Sequence, residues 1–456
     1  MDAKSWIKTE KAIRKSKKSY AHFDYRTDIA QKADYILNPE KIISHGFYPF
    51  IHYVKDMTKY NGKELKPKSR DICYAAHIDR CIYQYYSFVL NELYNERVAR
   101  DGLSNVAVAY RTDLHVSNIE LAKRAIDFIR GNSPCYVMIG DFTHFFDELD
   151  HNYLKKQWCS LLNVSTLPDD HYKIYRSITK FRTVELTDLL AIHNLKDTEA
   201  GRKKLNSFSK VLTTEQFKAN KSLITTNKKG KGIPQGSPIS ALLANVYMLD
   251  IDKLVHDKIA ALSGLYMRYS DDFIIVLPGL TEKIAIETLQ EIRNLINQTD
   301  GLTLEPSKTQ YFYCDGAAVT NCGEEFHSEA DCGKKAVNFL GFTFDGEKVS
   351  IRSKTTSKYY YRMYRKGDAI SRNGGVSPKG NKISCKNLYM KYSERGAHSK
   401  KGNFLSYVGR SEKVFGTHET IGRDTKRHMQ KIRRAISGKR HSQIAKRRAK
   451  RSQIKT

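Results

Sequence analysis

Adjacent aspartates at a hairpin tip are the residues of this chain with the clearest chemical potential. Asp271 and Asp272 follow Tyr269 and Ser270, between the apolar run 265–269 and a second run at 273–277. Both runs have the composition of buried strands. Adjacent carboxylates repel each other, and Mg²⁺ would remove the repulsion because it takes hard oxygen ligands. For this pair alone, a solvated Asp-Asp turn is the competing interpretation, because such turns are common.

A further carboxylate, Asp141, follows Gly140 at the end of the buried, strand-like segment 135–139. A carboxylate in that place is unfavourable unless it is paired or bound to a metal ion. Lys155 and Lys156 offer a salt bridge as the structural alternative. With the hairpin pair, the chain has the carboxylates needed for a two-metal site. In such a site one ion activates the attacking oxygen and the other stabilises the leaving group.

Basic residues supply candidates for binding a triphosphate. Lys68 and Arg70 lie in the basic, turn-rich stretch 61–70, and Arg111 precedes a helical stretch at 118–130. Each could bind phosphates. The alternative for Lys68 and Arg70 is an exposed basic loop, and for Arg111 it is a helix-capping or salt-bridging arginine. Lys308 could donate a proton to departing pyrophosphate, with an ordinary loop lysine as its alternative.

A loop rich in glycine and proline at 232–238 delivers Gln235 just before a helix. We expect that helix to begin at Ser237 and Pro238, with the serine as its cap. A loop of this kind suits the close approach of a nucleotide, although Gly-Pro loops before helices are common. Further on, residues 301–304 read as a strand.

The composition points to a nucleic-acid partner. The 456 residues include 78 Lys and Arg against 49 Asp and Glu, a net charge of +29, which favours a polyanion. No apolar run approaches the roughly 20 residues of a membrane-spanning helix, so we expect no membrane association. The eight cysteines are scattered rather than clustered, which predicts a reducing compartment, the cytoplasm.

The regions outside these motifs are mostly basic. Residues 1–35 read as helical and basic, and beyond 350 Lys and Arg interleave with Tyr in a pattern that suits a nucleic-acid backbone. The tail at 423–456 is rich in Lys and Arg and has almost no acidic residues, so it is either flexible or ordered on a polyanion. Residues 314–335 read as an insertion. Its Cys314, Cys322, His327 and Cys332 raise the question of zinc, but their spacing fits none of the tight CxxC pairs of structural sites.

The order of the motifs resembles the successive palm motifs of reverse transcriptases: DFTHFFDELDH, GIPQGSPIS, RYSDDF, GLTLEPSKTQ and NFLGFTF, across residues 66–345. The resemblance implies an α+β right-hand polymerase with fingers, a palm with an antiparallel sheet, a helical thumb, and basic N- and C-terminal extensions. The implied divisions are a basic helical extension at 1–60, fingers at 61–135, palm at 136–160, a helical connection at 161–231, palm at 232–345 and thumb with tail at 346–456.

The same resemblance implies roles for individual residues. Asp141, Asp271 and Asp272, with the backbone carbonyl of Phe142, would bind two Mg²⁺ ions, and Lys308 would complete the catalytic set. Phe146 falls at the steric gate against a ribose 2′-OH. The implied nucleotide-binding residues are Lys68, Arg70, Arg111, Phe146 and Gln235, and the implied primer grip is Phe339, Leu340 and Gly341.

The resemblance implies an RNA-directed DNA polymerase that copies a bound RNA into cDNA from dNTPs. The segments HIDR at 77–80, AYR at 109–111 and SPIS at 237–240 are most similar to the bacterial reverse transcriptases of antiphage defence, type 2 group. Members of that group use a cognate noncoding RNA as template. Retron-like and group II intron-like reverse transcriptases are the alternatives.

Other readings are weaker. Phe146 argues against a viral-type RNA polymerase, because an enzyme that selects ribose needs a polar partner at the gate. A non-enzymatic RNA-binding scaffold with a relict palm is disfavoured by the retention of the three carboxylates, Gln235 and Lys308.

Overall fold

The computed structural model describes residues 2–60, 65–111, 113–333, 335–377, 380 and 382–438. The basic tail beyond 438 and part of the stretch 61–70 therefore lie outside the described residues. Within these ranges there are fourteen strands: β1 Phe50–Val54, β2 Met57–Tyr60, β3 Leu65–Lys68, β4 Asp71–Tyr74, β5 Cys135–Asp141, β6 Arg182–Glu185, β7 Thr225–Thr226, β8 Leu265–Tyr269, β9 Asp272–Pro278, β10 Gln310–Cys314, β11 Val319–Asn321, β12 Val337–Phe339, β13 Phe342–Phe344 and β14 Val349–Ile351.

Helices make up most of the remaining described structure: α1 Ala3–Trp6, α2 Glu10–Ser16, α3 Ala33–Ile36, α4 Pro39–Ile43, α5 His77–Arg100, α6 Asn118–Gly131, α7 Phe145–Glu148, α8 His151–Leu162, α9 Asp169–Thr179, α10 Leu186–Ile192, α11 Glu199–Leu205, α12 Thr214–Ala219, α13 Ser240–Tyr247, α14 Leu249–Ala260, α15 Glu282–Asn297, α16 Ser353–Arg372, α17 Cys385–Tyr392, α18 Glu394–Ala397, α19 Phe404–Phe415 and α20 His428–Ile436. No described helix is both long enough and apolar enough to cross a membrane.

The palm is a five-stranded sheet in the order β11-β10-β5-β9-β8. Its pairings are all antiparallel. Side chains alternate between the two faces of a strand, and the interior strand β9 buries both sets. Ile275 and Leu277 join the core beneath α13, α14 and α15, whereas Ile274 and Val276 pack with α6 and the strands β12 to β14. The palm is therefore a buried central layer, as an α+β right-hand polymerase fold requires.

The fingers contain a second sheet in the order β4-β1-β6-β7, with β1 antiparallel to β4 and parallel to β6. Here β1 pairs with β4, and in a separate two-stranded sheet β2 pairs with β3, so strands pair across the division predicted at residue 60. That division stays a prediction. Within residues 1–35 the helices α1 and α2 are short, and residues 17–32 have no helix.

Smaller differences from the sequence-based expectations have local causes. The helix expected to begin at Ser237 begins instead at Ser240, whose hydroxyl donates to the Pro234 carbonyl (2.7 Å). The expected strand at 301–304 is reduced to one bridge between Phe142 and Leu304. The presumed insertion at 314–335 contains β11, an edge strand of the palm sheet. Likewise β14, beyond the predicted palm boundary at 345, completes a sheet with β12 and β13.

Candidate active site

The hairpin between β8 and β9 holds two of the aspartates at its turn. Tyr269 pairs with Asp272, so Ser270 and Asp271 form the turn itself. Ser270 has φ +62°, a left-handed conformation that non-glycine residues rarely adopt. Two side chains hold it there. The Arg268 guanidinium donates to the Ser270 carbonyl (3.0 Å), and the Tyr110 hydroxyl lies 3.0 Å from Ser270 Oγ.

Asp141 lies directly opposite Asp272 in the β5–β9 register. The next residue, Phe142, donates its amide to the Asp271 carbonyl (3.2 Å). Residues facing each other across antiparallel strands have Cβ atoms about 4.5–5.5 Å apart, so the register brings carboxylates from distant parts of the chain together. The sequence motifs, although more than a hundred residues apart, thus meet at one end of the palm sheet.

Gly140 allows this close approach. A Cβ atom at position 140 would lie 2.1 Å from Cζ of Phe273, the residue that faces it across the strands. Phe273 is fully buried and cannot move aside without disturbing the core.

We predict that Gly140→Ala lowers the free energy of unfolding by about 1–3 kcal/mol, the usual penalty of overpacking, and also reduces activity because Asp141 is the next residue. Urea denaturation and nucleotide incorporation would measure the two effects. Gly131→Ala is the matched control, because a Cβ there meets nothing within 4 Å. A Gly140→Ala variant as stable as the wild type would contradict the prediction.

Negative charge is in excess at this end of the sheet. Asp272 has its pKa raised to about 7, because surrounding protein displaces its water and because Asp271 and Asp141 lie beside it. The ammonium of Lys308 pairs with Asp141 Oδ1. Lys308 therefore compensates one carboxylate, whereas Asp272 is left in an environment that disfavours its ionised form.

The donor set fits hard divalent cations. Asp141, Asp271, Asp272 and the Phe142 carbonyl supply only oxygen, which Mg²⁺ prefers, and a cation would relieve the repulsion that raises the pKa of Asp272. In the described part of the chain, however, no three carboxylate, thiol or imidazole groups already stand close enough to form a metal site.

The loop before α13 connects the palm to the fingers. Ile233 donates its amide to the Phe146 carbonyl (2.9 Å), and Cys73 in β4 donates to the Gln235 carbonyl (2.8 Å). Gly236 has φ +115°, and a Cβ there would lie 2.5 Å from the Cys73 carbonyl oxygen. Phe146 and Gln235 are thus held by one loop, both half-buried, between the carboxylates and the fingers sheet.

The predicted triphosphate ligands have different surroundings. Lys68 ends β3 and Arg70 precedes β4, and both are exposed; their role stays a prediction. Arg111 is buried, with Nη2 2.5 Å from Asp113 Oδ2 and Nη1 donating to the Ser104 carbonyl (3.0 Å). Its guanidinium is therefore occupied by internal partners. This arrangement is the one expected of the salt-bridging alternative, and the nucleotide-binding role of Arg111 stays a prediction.

The predicted primer grip forms the turn between β12 and β13. Leu340 and Gly341 have φ +46° and +94°. The Leu340 carbonyl accepts from Asn118 Nδ2 (2.9 Å), and the same amide group lies 3.1 Å from the Tyr407 hydroxyl. Because Asn118 begins α6 and Tyr407 lies in α19, this turn is tied to both the palm and the thumb.

Sequence reasoning missed the buried ion pair behind the hairpin. Arg268 in β8 is fully buried, and its Nε and Nη2 donate to Asp252 of α14 (2.9 and 2.6 Å). Burial alone would lower the pKa of Arg268, but Asp252 outweighs it and holds the pKa above its usual value. The signal available in the sequence is an arginine inside an otherwise apolar strand, which requires a buried partner.

The cysteines of 314–335 are not gathered around one point. Cys314 lies opposite Cys135 in the β10–β5 register, and Cys322 is buried near the end of β11. Within the residues that the structure describes, no zinc-type cluster of three ligands is found.

Comparison with known proteins shows the family to which this chain belongs. The family described as reverse transcriptase (RNA-dependent DNA polymerase) matches residues 90–344, more than half of the chain. No curated protein matches the sequence. Two similar solved structures are telomerases at 14% identity. The apo enzyme of Candida tropicalis, truncated from its C-terminal domain, has a TM-score of 0.39, with 72% of this chain and 61% of that chain covered. The Candida albicans enzyme in complex with a TWJ fragment of telomeric RNA has a TM-score of 0.38, with 90% and 64% covered. The chain thus spans less than two thirds of either telomerase.

Proposed function

Because the chain belongs to the reverse transcriptase family, we propose that it is an RNA-directed DNA polymerase that copies an RNA template into cDNA from dNTPs. The observation that carries the proposal is the register that sets Asp141 opposite Asp272, with Asp271 in the adjoining turn. Three carboxylates at one sheet end, with a lysine beside them, are the groups that nucleotidyl transfer needs.

Asp141, Asp271, Asp272 and the Phe142 carbonyl would hold two Mg²⁺ ions. When bound, the ions supply charge neutralisation at the α-phosphate and activation of the attacking hydroxyl. Lys308, already at Asp141, is placed to give a proton to the departing pyrophosphate. Gln235, fixed by its backbone to β4, would support the template base and the incoming nucleotide.

Purified protein supplied with an RNA template, a primer, dNTPs and Mg²⁺ tests this proposal. We expect extension of the primer that requires all these components and stops when EDTA removes the metal. Extension with rNTPs in place of dNTPs would favour the RNA polymerase alternative. Absence of both, with RNA binding retained, would favour a scaffold.

Phe146 is proposed as the gate that excludes ribonucleotides. Its ring packs against Phe145 (centroids 5.7 Å apart), and its backbone carbonyl accepts from the Ile233 amide. We predict that Phe146→Ala lowers the preference for dNTPs over rNTPs about 10-fold or more, within the range that steric pockets achieve. Single-nucleotide incorporation with matched dNTP and rNTP measures it, and dNTP incorporation is the internal control. Unchanged discrimination would remove the gate role.

We further propose that the template is a dedicated noncoding RNA, that the protein acts in the cytoplasm, and that its role is antiphage defence of the type 2 kind. The net charge of +29 and the resemblance of three short segments support this finer assignment. Sequencing the nucleic acid that co-purifies with the protein tests whether the template is a dedicated RNA. A single enriched RNA is expected, whereas a random sample of cellular RNA would overturn the dedicated template.

A further inference from the structure

The helical thumb contains a cavity that the polymerase chemistry does not use. It has a volume of about 800 Å³ and lies between α16, α17 and the start of α19. Five cationic side chains line it: Lys358, Arg362, Arg365, Lys366 and Lys391. Its lining contains no carboxylate, and none of the five forms an ion pair with a described residue.

The cations are concentrated on one face of a helix. Lys358, Arg362 and Lys366 recur at intervals of four along α16, which puts like charges side by side and destabilises the helix. Lys391 approaches the same group from α17. The pKa of Lys366 is lowered, first by burial and then by Lys391 and Arg362. The described residues therefore maintain a concentration of positive charge that an external anion would neutralise.

Aromatic rings form the wall behind these charges. The Tyr359 ring lies 4.6 Å from the Phe404 ring and 5.3 Å from the Tyr392 ring, centroid to centroid. The Tyr359 hydroxyl donates to the Tyr392 carbonyl (2.7 Å), which links α16 to α17 behind the cations. Tyr359 and Tyr392 are buried, so the half-buried Phe404 is the ring that a base can reach. A concave site that combines an aromatic ring with cations is suited to a nucleotide, with its base on the ring and its phosphates on the basic groups.

We propose that this thumb pocket binds an unpaired nucleotide, with its flanking phosphates, from a single-stranded polynucleotide. A double helix does not fit this role, because its bases are stacked inside and cannot reach an aromatic wall. This inference rests on the proposed function in one respect: the single strand is taken to be the template RNA or its cDNA product. The position favours nucleic acid over an acidic protein, because Tyr407, one turn after Phe404 on α19, contacts the group that holds the primer-grip turn.

The test is equilibrium binding of labelled single-stranded RNA and DNA oligonucleotides to the full chain, followed by fluorescence anisotropy. All variants carry Asp271→Ala/Asp272→Ala and no dNTP is present, so the outcome does not depend on polymerisation. Arg362→Ala/Lys366→Ala removes two pocket cations. Lys218→Ala/Lys221→Ala, at exposed positions of the fingers side, removes the same charge and is the matched control.

We expect the pocket variant to weaken binding of a single strand about 10-fold. The slope of log affinity against log salt should fall by about 0.7 for each phosphate that the protein no longer neutralises, while the control changes neither. Lys391→Ala, on a separate helix, should act in the same direction and guards against a folding defect in α16. Whether RNA or DNA binding is weakened more identifies the source of the strand.

Other outcomes would contradict the proposal that this pocket binds an unpaired nucleotide. Equal weakening by the control variant would indicate general electrostatic attraction. An equal decrease in affinity for a duplex and a single strand would indicate an ordinary duplex-binding surface. Competition by polyglutamate but not by a single-stranded oligonucleotide would indicate an acidic protein as the partner.

Discussion

Asp271→Ala/Asp272→Ala is expected to reduce nucleotide incorporation by at least about 10³-fold, because electrostatic stabilisation by catalytic metal ions supplies several kcal/mol and each 1.36 kcal/mol is about tenfold in rate. The fold should survive the change. The Asp272 carboxylate has a pKa raised to about 7 by its surroundings and its acidic neighbours, so removing it relieves repulsion. Primer extension and urea denaturation on the same preparation would measure the two effects.

The separation of activity from stability is what makes this variant informative. Glu287→Ala, at an exposed position on α15, is the control for removal of a carboxylate remote from the site and should retain full incorporation. If the double variant kept its activity, the two-metal assignment of these aspartates would be wrong. If it lost activity only through unfolding, the aspartates would be structural.

Arg268→Met is expected to lower the free energy of unfolding by about 3–5 kcal/mol, because breaking a buried ion pair leaves an uncompensated charge. Asp252 would keep only the Tyr266 hydroxyl (2.8 Å) as a described side-chain partner. The variant should also lose activity in the absence of denaturant, since Arg268 holds the Ser270 carbonyl of the acidic turn. Chemical denaturation and the dependence of incorporation on Mg²⁺ concentration would measure the two effects.

A second substitution distinguishes the two roles of Arg268. In Arg268→Met/Asp252→Leu both charges are removed, so much of the stability should return, whereas the turn still lacks its donor. We therefore expect recovered stability together with a persistently higher Mg²⁺ requirement. If stability and the normal Mg²⁺ requirement were both recovered, the ion pair would be purely structural. If neither were recovered, the loss would come from disturbed side-chain packing rather than from the unpaired charge.

Much of the palm could be predicted from the sequence because its signals are local. The apolar runs around Asp141 and Asp271 each have the length and composition of a buried strand, and the structure pairs them as β5 and β9. The strand-like runs on either side of the turn at Leu340 are equally local signals. The roles of the individual site residues stay predictions that the variants above test.

The remaining features depend on tertiary contacts. Arg111 reads as a free cation until Asp113 and the Ser104 carbonyl surround it. The strand β1 reads as part of an N-terminal extension, yet it pairs with β4 and with β6, which lies more than a hundred residues away. The helix predicted to begin at Ser237 begins at Ser240, whose hydroxyl donates to the Pro234 carbonyl. In each case tertiary structure overrides a reasonable local pattern.

The discontinuous fingers sheet has a consequence for biosynthesis. Its strands come from 50–54, 71–74, 182–185 and 225–226, while the palm strand β5 intervenes at 135–141. A nascent chain cannot close this sheet until residue 226 has left the ribosome, and pairing over such separations is slow. Until β6 at 182–185 has emerged, one side of β1 remains an open edge that can recruit other chains. Fragments that stop before residue 182 should therefore aggregate during expression rather than yield isolated fingers.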